Sequence, residues 1–350
     1  MPNALNEKPT FAKHRMKISA SVYADQRQNL AATVHELELC HADMLHVDCK
    51  DNPAIFDDIQ TLRTLTKLPI DLHLITANPS RYFELLEDNP VEFLTLQYET
   101  LEKGAALPTL GYTKLGMAFS EGSDVALFLP FAQQCDFVLI MATTPGESGG
   151  LFRTESFRRI REFKRLFPDK RIHVDGGVNA EVSFILRNLG VNCAVSGSYL
   201  FKETTVGGAM LQLRNGVIDS HYRVCDFMRG MEETPVLNED GLTTERILTS
   251  IEKARLGFTL ISDAAGLLIG MVSNADLRRG MLNQIDDLNA LHPEHLVNRN
   301  PIAVHEELTV KELLGFIRRQ PISINYLPVI NAHGQLTGSL TFNDLIKGEA

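Results

Sequence analysis

The chain has 350 residues, 44% of them hydrophobic, with 34 Lys and Arg against 44 Asp and Glu for a formal net charge of -10. That length predicts two domains with sizeable cores. The acid excess without a long basic run argues against a nucleic-acid partner, and no apolar run approaches the roughly 20 residues of a membrane span.

The first 17 residues, MPNALNEKPTFAKHRMK, are charged and lack an apolar stretch, so no secretory signal is read there. The five cysteines, Cys40, Cys49, Cys135, Cys193 and Cys225, are odd in number and without CxxC spacing. They read as reduced thiols of a cytoplasmic protein.

From residue 17 onward, strand-like apolar runs alternate with helical patterns. Strands are predicted at Lys17–Val22, Asp43–Asp48, Pro69–Leu74, Val91–Gln97, Lys114–Ala118, Asp136–Met141, Arg171–Asp175 and Asn192–Ser196. Helical periodicity lies between them, as in Leu30–Cys40, Pro79–Asn89, Thr154–Phe167 and Ala180–Gly190. Such alternation predicts an α/β fold, a (β/α)8 TIM barrel, with its chemistry at the C-terminal ends of the strands. Four residues fall there: His46 and Asp48 in MLHVDC, His73 in PIDLHL and Asp175 in RIHVDGGV. Residues two apart on a strand point the same way, so His46 and Asp48 reach one site together. Two imidazoles and two carboxylates suit one divalent cation, Zn foremost, with Mn, Fe or Co as alternatives. The two carboxylates can also move protons. His173, two before Asp175, points into the barrel one layer down and is given no role.

Glycines supply an anion site. Gly176-Gly177 follows the seventh strand and Gly197-Ser198 the eighth, where barrels of this class bind phosphate. The loop Thr144–Gly150, with Gly146, Ser148 and Gly149, is predicted to fold over that phosphate as a lid.

From about residue 231 an internal repeat begins. Gly266, Gly270, Ser273 and Asp276 recur 68 positions later as Gly334, Gly338, Thr341 and Asp344. Each copy reads as an extended segment, a helix, two strands and a helix, of α+β class. The predicted organisation is a barrel over 1–218, a linker over 219–230, and repeat units over 231–290 and 291–350, with the chain after about 203 supplying the last barrel helix. Ser273 and Asp276, with Thr341 and Asp344, suit a nucleotide phosphate and a ribose diol, or serve only as helix N-caps in a dimerising module.

Residues 17 to about 202 resemble the ribulose-phosphate 3-epimerase family. KISASV, ADMLHVDCKD, LPIDLHLI, FVLIMATTPGESGG, RIHVDGGVN and AVSGSYLF carry the resemblance, in order and near the family spacing. It implies that His46, Asp48, His73 and Asp175 are metal ligands and that Asp48 and Asp175 double as the catalytic acid/base pair. Ser21 matches a serine touching a substrate hydroxyl, and Met141 a methionine lining the site. Residues 231–350 are similar to a tandem pair of CBS domains (a Bateman module), through GLLIGMVSNADLRRGM and GQLTGSLTFNDLIKG. That similarity implies a nucleotide or nucleotide-sugar effector acting on the barrel. Both resemblances imply a homo-oligomer.

The expected activity is therefore interconversion of D-ribulose 5-phosphate and D-xylulose 5-phosphate, by C3 deprotonation to an enediolate and reprotonation on the other face. Departures from the family pattern bear on the substrate. The segment after the second strand is short, reading Asp51-Asn52-Pro53-Ala54, and Lys50 stands where the family has a methionine. Gln97 replaces a common histidine, and Glu147-Ser148 replace Phe-Gly of the lid. Two alternatives follow: an epimerase for a different ketose phosphate in a specialised sugar pathway, and a non-catalytic sugar-phosphate binder with a nucleotide sensor.

Overall fold

A computed structural model describes residues 15–145, 149–214, 222–320 and 324–342. The described residues divide into two compact units, the first over 15–214 and the second over 222–342.

In the first unit eight parallel strands close a barrel in sequence order. They are β1 (Lys17–Ser21), β2 (Met44–Lys50), β3 (Ile70–Ile75), β4 (Phe93–Gln97), β5 (Lys114–Phe119), β6 (Phe137–Met141), β7 (Arg171–Asp175) and β8 (Cys193–Ser196). Each lies within two residues of its predicted span, because short apolar runs ended by Gly, Asn, Asp or Pro fix strand position well. Outward residues such as Leu45, Val47, Leu72 and Leu74 are fully buried, as expected of parallel strands roofed by helices. The covering helices are α1 (Leu30–Leu39), α2 (Ile55–Leu65), α3 (Phe83–Asp88), α4 (Glu155–Leu166), α5 (Ala180–Asn188), α6 (Ser198–Lys202) and α7 (Val206–Arg214).

Two of the eight expected helices differ. After β4 comes only a 3-10 turn at Tyr98–Thr100, followed by a stretch with Gly104, Pro108 and Gly111. After β5 comes a 3-10 segment, Val125–Phe131, with Pro130 inside it. Proline removes a backbone donor and holds the segment short of an α-helix. The last helix, α7, closes the barrel through Arg214, whose Nη2 donates to the His41 carbonyl at 2.6 Å and to Asp43 Oδ2 at 2.9 Å.

The second unit holds the repeat. It comprises α8 (Val224–Phe227), β9 (Arg229–Gly230), β10 (Val236–Asn238), α9 (Thr244–Ala254), β11 (Phe258–Ser262), β12 (Leu268–Ser273), α10 (Asn274–Asn283), β13 (Val304–His305), α11 (Val310–Arg318), β14 (Tyr326–Ile330) and β15 (Leu336–Thr341). The hairpin β11–β12 recurs as β14–β15 with both strands displaced by 68 residues. Each hairpin turns on a glycine of positive φ, Gly266 at 81° and Gly334 at 79°. The two turns bond to each other: Leu268 N–H donates to Gly334 O at 3.2 Å and Leu336 N–H to Gly266 O at 2.9 Å. The final helix expected of the second copy lies outside the described residues.

The segment expected to be linker, 219–230, is structured over its described part. Val224 N–H donates to Leu308 O at 2.8 Å and Cys225 N–H to Glu306 O at 2.9 Å, and β9 adds antiparallel to β15. Edge pairing with the second copy holds this segment, so the repeat unit begins before 231. No helix among the described residues is long and apolar enough to cross a membrane.

Candidate metal centre

Alternation along β2 turns His46, Asp48 and Lys50 to one side, toward the barrel axis. The register then sets Asp71 of β3 opposite His46 and His73 opposite Asp48. Asp175 ends β7, held where its carbonyl accepts from Ala142 N–H at 2.7 Å. One ligand atom from each of His46, Asp48, His73 and Asp175 lies within 4.8 Å of the others. His46 Nε2 is 3.4 Å from Asp48 Oδ1 and 3.9 Å from Asp175 Oδ2, and His73 Nδ1 is 3.2 Å from Asp48 Oδ1.

Three of these atoms, His46 Nε2, Asp48 Oδ1 and His73 Nδ1, are buried and make no hydrogen bond. Buried polar atoms left bare are costly, and here they face one point. The opposite ring nitrogens are committed elsewhere. His46 Nδ1 lies 2.9 Å from Asp71 Oδ2, which also accepts from Ser19 Oγ at 2.8 Å. His73 Nε2 lies 2.9 Å from Gln97 Oε1. Each of those nitrogens therefore carries the proton, leaving a free lone pair on its partner in the ring.

The charge balance points the same way. Burial works against a charged His46, but Asp71 and Asp48 beside it outweigh burial and hold its pKa well above the ordinary value. Burial likewise opposes charge on Asp48, yet His46 and His73 keep it well below the usual carboxylate range. Burial pushes Asp175 up to about 6. The pocket thus attracts positive charge, and its two-imidazole, two-carboxylate donor set fits a divalent cation.

Around this cluster the remaining sequence candidates take varied places. Ser21 ends β1 in register with His46, and a Cβ on Gly197 would lie 3.2 Å from the Ser21 Cβ. Met141 is buried beside Ala118 and Leu139. Ser198 is the first residue of α6. Gly176 and Gly177 have φ of 109° and 64°. Their backbones press on the β6–α4 loop, where a Cβ would come within 2.8 Å of Thr143 N and 2.3 Å of Phe152 N respectively. Gly149, at φ 89°, has Lys202 Nζ 3.8 Å from where its Cβ would be. Gly146 and Ser148 lie outside the described residues. Lys50 is exposed, the next inward residue of β2 after Asp48. His173 sits in the layer below, its ring stacked on Phe137 at 4.1 Å, and burial lowers its pKa to about 4.

Several contributors were not singled out as site residues in the sequence. Asp71 orients His46; the only hint was its period-two spacing from His73. Glu99, on the turn after β4, accepts from Ser120 N–H at 2.8 Å and Ser123 Oγ at 2.5 Å. Arg159 of α4 donates to the carbonyls of Met141 at 3.1 Å and Ser120 at 2.8 Å, tying the ends of β5 and β6 together. No local motif marks an arginine for that task.

In the second unit Ser273 caps α10. Its Oγ donates to Asp276 Oδ2 at 2.6 Å, its N–H donates to the same oxygen at 2.9 Å, and Arg279 Nη1 reaches Asp276 Oδ1 at 3.0 Å. Thr341 ends β15 at the equivalent place; Asp344 lies outside the described residues.

The family model described as Ribulose-phosphate 3 epimerase family matches residues 17–201, and the CBS domain model matches residues 294–349. Ribulose-phosphate 3-epimerase of Schizosaccharomyces pombe is 27% identical over 214 residues, covering 58% of this chain and 94% of that protein. The cytoplasmic isoform of Oryza sativa subsp. japonica is 28% identical over 215 residues, covering 57% and 94%. Among solved structures, CBSX2 in complex with AMP aligns over 36% of this chain and 94% of its own, with 21% identity and a TM-score of 0.31.

Proposed function

The chain belongs to the ribulose-phosphate 3-epimerase family of isomerases and carries a C-terminal tandem CBS pair, and we propose that its barrel interconverts D-ribulose 5-phosphate and D-xylulose 5-phosphate. The observation that carries this reading is the convergence of His46, Asp48, His73 and Asp175 at the barrel mouth, with three bare buried donor atoms.

His46, Asp48, His73 and Asp175 would hold a divalent cation, and such an ion would supply Lewis-acid polarisation of the substrate's C2 carbonyl. The residues do the rest. Asp48 and Asp175 come from strands on different sides of the site, so one removes the C3 proton and the other returns a proton to the opposite face. Positioned acid/base groups of this kind contribute about 10²- to 10⁴-fold. Asp71 and Gln97 each face one nitrogen of an imidazole, which fixes the ring and turns the other nitrogen toward the site. Backbone N–H groups around Gly176, Gly177, Gly197 and Ser198 receive the phosphate, and Ser21 meets a substrate hydroxyl. The test is a coupled assay for xylulose 5-phosphate formed from ribulose 5-phosphate, alongside a panel of longer ketose phosphates.

One observation favours a second reading, an altered ketose phosphate. Lys50 brings an exposed cation to the mouth without an ion pair among the described residues. If that cation meets substrate oxygens, Lys50→Met lowers kcat/KM by at least about ten-fold, the worth of a charge-assisted hydrogen bond. The panel then shows which substrate loses most; an unchanged kcat/KM on every substrate removes Lys50 from recognition.

For the repeat unit we propose a nucleotide sensor built around Ser273 and Thr341. Support comes from the duplicated Ser/Thr-x-x-Asp spacing, which in the first copy falls at the start of α10. Thermal melting of the full chain with AMP, ATP and a nucleotide sugar tests it: no shift with any of them leaves the capping role alone.

A further inference from the structure

We propose that Glu99 is a positioning residue for the metal centre: acting through Gln97, it decides which nitrogen of His73 carries the proton. The inference rests on the metal reading above.

Gln97 is buried at the end of β4. Its Oε1 faces His73 Nε2 at 2.9 Å, while its Nε2 faces Glu99 and, at 3.1 Å, Ser120 Oγ. A carboxamide has an acceptor end and a donor end of nearly the same shape. Turned over, it would offer N–H to His73 Nε2. That nitrogen would become the acceptor, and the imidazole proton would move to Nδ1. Nδ1 is the atom that faces Asp48 at 3.2 Å, and once protonated it has no lone pair for a cation.

Something must therefore hold the amide one way round, and Glu99 does. An ionised carboxylate only accepts, so it can face the amide N–H group but not the amide oxygen. Its own position is fixed by donors: Ser120 N–H at 2.8 Å, Ser120 Oγ at 3.1 Å and Ser123 Oγ at 2.5 Å. Ser120 Oγ thus donates to Glu99 and accepts from Gln97, so the hydrogen bonds run in one direction. Arg159 Nη2 fixes the backbone beneath, donating to the carbonyls of Ser120 at 2.8 Å and Ser123 at 3.3 Å. His46 needs no such relay, since Asp71 is a carboxylate and cannot present the wrong end.

The test is metal affinity, measured by competition titration of the full-length, metal-stripped protein with Zn²⁺ and with Co²⁺. Melting of each stripped variant reports folding. Gln97→Leu is expected to weaken both ions about 10- to 100-fold, as loss of an outer partner does. Glu99→Gln leaves the amide without its bias and is expected to weaken them about 2- to 10-fold, the worth of one net hydrogen bond. The exchange Gln97→Glu/Glu99→Gln puts the carboxylate on His73 and the amide outside, keeping both bonds. It is expected to recover wild-type affinity and the wild-type Co²⁺ absorption spectrum, which a merely structural role for Glu99 does not predict. Single variants that bind like wild type, or an exchange variant that binds no better than Glu99→Gln, would overturn the relay. Wild-type protein that takes up neither ion would overturn the metal reading and the relay with it.

Discussion

Replacing Asp175 with Asn is expected to lower turnover of ribulose 5-phosphate by at least about 10²- to 10⁴-fold, the contribution of a positioned acid/base group. Two losses combine. Asn cannot take or give the C3 proton, and it supplies a weaker, uncharged ligand to the cation. The fold should survive, because Asp175 makes its structural bond through its carbonyl to Ala142 N–H at 2.7 Å, not through its carboxylate. Steady-state kinetics with circular dichroism separate the two. The effect should appear in kcat and kcat/KM together, the pattern of an interaction made in the transition state. Turnover within a few-fold of wild type would remove Asp175 from the acid/base role.

Stripping the protein with a chelator is expected to abolish turnover without unfolding the barrel, and adding back a divalent ion to restore it. The stripped pocket keeps His46 held on Asp71, its Nδ1 2.9 Å from Asp71 Oδ2, whether or not an ion is bound. Chain packing does not depend on the ion: the strands around the cluster are fully bonded to their neighbours. Metal uptake should raise the melting temperature with ion concentration. Ligand at about 100 times its Kd stabilises by about 2.7 kcal/mol. A melting temperature indifferent to Zn, Mn, Fe and Co would place no ion in this cluster.

The barrel strands could be read along the chain because each is a short, largely apolar run between turn residues. The HxD pair on β2 and the single His on β3 stood out because strand geometry alone puts them at the mouth. What could not be read was anything set by register between strands. That Asp71 serves His46 rather than its own neighbour His73 follows from the pairing of β2 with β3. Glu99 lies on a turn where a helix was expected, and its partners Ser120 and Ser123 are more than twenty residues away. The repeat was legible from its constant spacing, whereas the segment ahead of it passed for linker, because two residues of edge strand leave no periodicity.

Metal-dependent proton transfer at the His46–Asp48–His73–Asp175 cluster is open to NMR of ribulose 5-phosphate incubated in D2O with stripped and with metal-reloaded full-length protein. Deuterium at C3 and xylulose 5-phosphate are expected only after reloading. Equal exchange by the stripped protein, or no exchange with any ion, would contradict such transfer.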